Sequence, residues 1–267
     1  MIERATPHFG RLVFDRDAIV RAALRAYVET YLKRIARFWY PASDGAEWMG
    51  DPKRGAIYND DGEGNYEVVA WTEAGVVGLA CEIGAGSIEQ LGLSLDAVTG
   101  GPDDVRGAVP GLPAELEPAF VVAVGMLDVG EEHGERRAGV GFWLHGDRVG
   151  GTLLAVDDPY RAHGAVRLAA WGLLYNGRLL PLSCESYRPR PGWIVTYHDR
   201  PQDAPAHAVI DAVVDRRLAG PTEFTPAELE TLLLPTPDPK RVRGAQRRLQ
   251  KVGITWPGSP EIPEEPT

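Results

Sequence analysis

Asn59-Asp60-Asp61-Gly62-Glu63-Gly64-Asn65 is the densest cluster of oxygen-bearing side chains in this 267-residue chain. Hard cations such as calcium take oxygen ligands. Asn59, Asp61 and Glu63 alternate as the early ligands of an EF-hand loop do, with Gly64 in the sixth place. The twelfth place, where a bidentate glutamate closes such a loop, is Ala70. The flanking segments also read as strands, not helices. The run therefore fits a polar hairpin connection whose Gly and Asn residues adopt unusual φ angles, and no metal is expected in it. Asn59, Asp60, Asp61, Glu63 and Asn65 stand as the candidate binding residues.

Other candidates for chemistry are sparser. The six histidines, His8, His133, His145, His163, His198 and His207, include no pair at the spacing of a zinc-binding helix or knuckle, and neither cysteine joins them in a ligand pattern. Each reads as a surface or hydrogen-bonded imidazole. His198-Asp199 at a strand end would pair a base with a group that orients it. No activated nucleophile accompanies them, because Ser183 and Ser186 flank Cys184 without a Gly-x-Ser-x-Gly elbow. Gly84-Ala85-Gly86-Ser87 follows a strand but lacks the lysine of a phosphate-binding loop and the third glycine of a dinucleotide fingerprint. No catalytic residue, metal or cofactor is assigned, and the pattern favours binding over chemistry.

Charge narrows the partner class. The net charge is −10, which repels phosphate backbones and anionic membranes and suits a basic protein partner. Of 28 basic residues only Lys33, Lys53, Lys240 and Lys251 are lysine, a bias that fits GC-rich bacterial coding. Arg241, Arg243, Arg247, Arg248 and Lys251 gather near the C-terminus, where they read as a solvated helix face whose charge suits the negative end of the dipole. A DNA-associated regulator using 240–251 is the third reading. Cys81 and Cys184 lie far apart in apolar contexts, and two thiols make a poor disulfide framework. With no apolar run behind a basic start and no membrane-length segment, a cytoplasmic protein is expected.

These residues are positioned by a fold expected to be α+β. An amphipathic helix begins near Asp15 or Asp17. Val20, Leu24, Tyr27, Tyr31 and Ile35 form its apolar stripe, Arg21, Arg25, Glu29, Lys33 and Arg37 are expected to face water, and Pro41 ends it. Residues 55–58, 66–72 and 76–81 predict a three-stranded antiparallel meander. Short helices are expected at 87–98 and 113–119, and strands at 120–127, 138–144 and 149–156. Asn176-Gly177 predicts a hairpin between 171–175 and 178–182, and 193–197 one more strand. Helices follow at 207–219, 225–233 and 239–252, the second announced by Thr225-Pro226-Ala227-Glu228 and the third stopped by Gly253. The expected organisation is an α+β core over 1–205, a helical subdomain or cap over 206–256, and a disordered acidic tail over 257–267.

Two segments carry a resemblance. Met49-Gly50-Asp51, the Asp60-Asp61-Gly62-Glu63-Gly64-Asn65 loop and the run from Val68 to Leu79 form one. The other, within 218–257, combines a Thr-Pro-x-x-Leu-type helix start with Gly253-Ile254-Thr255-Trp256-Pro257. Together they resemble a group of uncharacterised cytoplasmic proteins of GC-rich bacteria, and cover about a quarter of the chain. The chain departs from the group after Cys81, where Ile83-Gly84-Ala85-Gly86 replaces an acidic, His-bearing stretch. The resemblance implies an immunity-type or accessory protein of toxin and defence loci. The leading expectation is thus a non-catalytic protein-binding protein, immunity-like, inhibiting a basic toxin. The alternative is a small-molecule-binding or hydrolytic enzyme with its site around 59–65, Cys81 and His198.

Overall fold

A computed structural model describes residues 15–38, 45–60, 65–82, 105–127, 140–151 and 201–262. The fold is α+β: an antiparallel six-stranded sheet with an N-terminal helix and C-terminal helices. The described residues form two compact units, 15–23 with 45–151 and 24–38 with 201–262. The division falls inside the first helix, α1 (Arg16–Leu32).

The sheet unit is a meander in chain order: β1 (Gly45–Gly50), β2 (Gly55–Asp60), β3 (Asn65–Thr72), β4 (Gly75–Glu82), β5 (Val140–His145) and β6 (Arg148–Gly150). Its turns follow local chemistry. Asp51 Oδ1 accepts from the amides of Lys53 and Arg54 at 2.6 and 3.1 Å, which folds β1 onto β2. Thr72 Oγ1 accepts from the Ala74 amide at 3.2 Å in the two-residue turn between β3 and β4. One face carries Ala56, Tyr58, Val68, Ala70, Val77, Leu79 and Trp143 against α2 (Glu117–Leu127). Ile57, Val69, Trp71, Val76, Phe142 and Leu144 on the opposite face are equally buried. Burial on both faces explains why β3 and β4 read as near-continuous apolar runs. Two glycines make room for aromatic neighbours: Gly78 lies beneath Phe142 and Gly150 beneath Trp143, each its register partner across the ladder.

The expected strand at 120–127 is instead α2. An apolar run this short has no diagnostic period, and packing decides it. Leu116, Ala119, Phe120, Ala123, Val124 and Leu127 recur at helical intervals and are buried, while Val121 stays 60% exposed. Strands occur at 140–145 and 148–150 as the sequence suggests, and β1 is an addition to it. The expectations at 87–98 and 171–197 lie outside the described residues.

Asp15 caps α1 as anticipated, its Oδ1 accepting from the Ala18 amide at 2.6 Å. Arg16 pins the start of the helix to the sheet, donating to the carbonyls of Thr72, Pro52 and Lys53 at 2.6, 2.7 and 2.6 Å. The helix stops at Leu32, well short of Pro41. The backbone beyond it has better partners in the helical unit: Ala36 bridges to Leu233, the Arg37 amide donates to Leu232 O, and Ile35 O accepts from Leu234.

The helical unit continues through α3 (Ala204–Ala219), β7 (Thr222–Glu223), α4 (Pro226–Leu232), α5 (Pro239–Lys251) and β8 (Ile254–Thr255), β8 pairing parallel with β7. The capping box forms in full: Thr225 Oγ1 accepts from Glu228 N at 3.2 Å and Glu228 Oε2 from Thr225 N at 2.9 Å. Gly253, at φ 71°, turns the chain after α5 as a helix-terminating glycine should. Phe224 and Trp256, both buried, meet edge to face at 5.7 Å. No helix among the described residues is long and apolar enough to cross a membrane.

Candidate functional site

The acidic run sits where the ladder ends. Asp60 is the last residue of β2 and pairs with Gly45 and Tyr66, while Asn65 opens β3 opposite Glu82, the last residue of β4. Three paired strands thus terminate together and fix both ends of the connection. Asp61 and Glu63 lie in 61–64, outside the described residues, and Asp60 and Asn65 are placed by backbone alone. Ala70, the twelfth place of the abortive EF-hand pattern, is fully buried in the α2-facing core.

Asn59 is the one candidate of the five with a described side chain, and it points into the protein. It is 5% exposed and faces Glu67, its register partner on β3, which is 2% exposed. Asn59 Nδ2 donates to Glu67 Oε1 at 3.4 Å, and among the described residues Asn59 Oδ1 has no donor. A carboxylate taken out of water needs donors, and the amide supplies one. Asn59 thus stabilises a polar pair inside the sheet, one register position in from the acidic end. Cys81 stands opposite Tyr66, next to that same end, and His198 lies outside the described residues.

The helical unit contains a second constellation. Arg25 and Glu29 are one turn apart on α1, and His207 and Asp211 one turn apart on α3. Arg25 Nη1 lies 3.1 Å from Asp211 Oδ1, Arg25 Nε 3.4 Å from Glu29 Oε1, and His207 Nδ1 3.3 Å from the same oxygen. The Phe38 ring closes over the imidazole at 5.2 Å between centroids. Glu29 has no exposed surface, and Arg25 and His207 are largely covered. Arg25 and Glu29 therefore do not face water as their spacing suggests. Complementary pairs at i,i+4 on two helices were the available signal, but such spacing looks the same on a solvated face.

Chemically, a carboxylate on the Nδ1 side of an imidazole is the arrangement that orients a general base. Here Arg25 Nη2 also approaches Nδ1, at 3.4 Å. Nδ1 cannot donate to Glu29 and accept from Arg25 in one tautomer, so the guanidinium competes with the carboxylate for it. With His207 Nε2, the nitrogen that would take a proton, buried away from solvent, the cluster ties α1 to α3 and presents no reacting atom. Among the described residues no group of three or more His, Cys, Asp or Glu side chains is disposed to hold a metal ion. Comparisons with protein families, with curated proteins and with solved structures found no match.

Proposed function

We propose that the chain is a non-catalytic protein-binding protein of the bacterial cytoplasm, an immunity-like inhibitor that covers a basic toxin. The observation that carries this reading is the distribution of charge. Residues 1–200 hold 28 acidic side chains against 20 basic ones, and the densest acidic run joins two paired strands of a well-packed sheet. Carboxylates carried between paired strands offer charge complementarity to a basic surface, which steers association and suppresses wrong partners. The buried setting of His207 Nε2 also supports binding over chemistry, since a base nitrogen that meets no solvent meets no substrate.

The test is recovery of a tagged full-length chain from its native cells at moderate salt, with mass spectrometry of what accompanies it. One stoichiometric basic protein, lost at high salt and lost with D60N/D61N/E63Q, supports the reading. Calorimetry that finds no affinity for any basic protein encoded beside it overturns the reading.

A further inference from the structure

The C-terminal helix α5 has a cationic stripe that no packing requirement explains. At 100° per residue, Lys240, Arg243, Arg247 and Lys251 fall within one face, and Arg241 flanks it. All five side chains are exposed, and Pro239–Lys251 contains no acidic residue. The opposite face buries Ala245, Gln246 and Leu249. Arg241 has a loose partner in Asp238 at 3.6 Å, while among the described residues Lys240, Arg243 and Arg247 have no carboxylate within salt-bridge distance. The stripe runs for roughly 16 Å along the helix axis at 1.5 Å per residue.

Gly244 lies in the middle of this stripe. A Cβ there would meet nothing within 4 Å, so no neighbour demands glycine. In an exposed helix interior glycine is less favourable than alanine. What glycine does supply is a bare strip of backbone between flanking cations, across which a chain of phosphates can lie closely.

We propose that α5 binds the phosphodiester backbone of nucleic acid without reading its sequence. This goes beyond the protein-binding reading and is independent of it. The face has no exposed aromatic or aliphatic side chain to anchor a protein partner. Side-chain amides are not free on it, since Gln246 is buried and Gln250 donates to the carbonyl of Pro260, so a ligand meets a row of Arg and Lys whose charge suits phosphates at any sequence. Net acidity does not prevent contact, because at physiological ionic strength charges more than about 8 Å away are largely screened.

The experiment is fluorescence anisotropy of the full-length chain with a labelled 20-base-pair duplex from 25 to 200 mM KCl. Binding should weaken with salt at a log–log slope of about −0.9 per phosphate contacted, equally for two unrelated sequences. R243Q or R247Q should each lower that slope by about one, with helicity unchanged by circular dichroism. G244L should weaken binding although it favours the helix. No binding at 25 mM KCl, or a slope unmoved by R243Q/R247Q, overturns the proposal. So does displacement of the duplex by polyglutamate at equal charge concentration, which would indicate an acidic protein as the ligand.

Discussion

Arg54 and Glu73 in the sheet unit meet between neighbouring turns with their side chains 69% and 64% exposed. In the helical unit Arg25, Glu29, His207 and Asp211 meet with Glu29 fully covered. The contrast follows from what each unit has to bury. A sheet flanked by apolar groups on both faces is held by area, and its charges can stay on the turns. The described helical unit has fewer apolar groups and closes its elements with directed contacts. Arg216 forks onto Glu228 at 2.8 and 2.9 Å, Tyr27 donates to the Arg248 carbonyl at 3.1 Å, and the Arg248 guanidinium lies 5.3 Å from the centre of the Tyr31 ring. Exposed ion pairs contribute little to stability, whereas a buried one is costly to break.

Urea unfolding of variants sharpens the comparison. Trp71→Ala should have the largest effect. Trp71 is 1% exposed and donates to the Asp51 carbonyl at 2.9 Å, so its loss should cost roughly 3–5 kcal/mol. Glu29→Ala should approach this, at about 3 kcal/mol, because it removes the buried carboxylate that Arg25 and His207 share and leaves Asp211 as the acidic neighbour of Arg25. A Glu29→Ala variant as stable as the parent would show that the cluster does not hold α1 to α3. Thr225→Ala removes one half of the capping box and should cost about 1 kcal/mol. R54Q/E73Q should lie within error of the parent protein.

Acid should reach the helical unit through Glu228. Burial alone would raise the Glu228 carboxyl, but hydrogen bonds from Arg216 and the Thr225 amide outweigh it and hold the group below its usual 4.5. A carboxyl held low in the folded state stabilises above its unfolded value, and this contribution is lost as pH falls through the folded one. Helicity near α4 should therefore weaken below pH 4.5, and Glu228→Gln should flatten that dependence in a titration followed by circular dichroism or NMR. Equal acid loss in the two proteins would remove Glu228 as the cause.

Sequence alone determined whatever depends on neighbours along the chain. The β2–β3–β4 meander follows from strand propensity and Gly-containing turns. The capping box at Thr225 and the Asp15 cap follow from side chains meeting backbone groups three residues away, and the Gly253 stop follows from a positive φ that glycine adopts without strain. These contacts form within one turn, so local residue types suffice. Tertiary structure decided the rest. It made 117–127 a helix because a small-residue face was available on β2 and β3. It ended α1 at Leu32 because backbone around Leu233 offered hydrogen bonds. It turned Glu29 and Asn59 inward because their partners, His207 and Glu67, come from other elements. A periodic pattern gives the spacing of side chains on a face, but only the element that packs against that face determines whether they meet water.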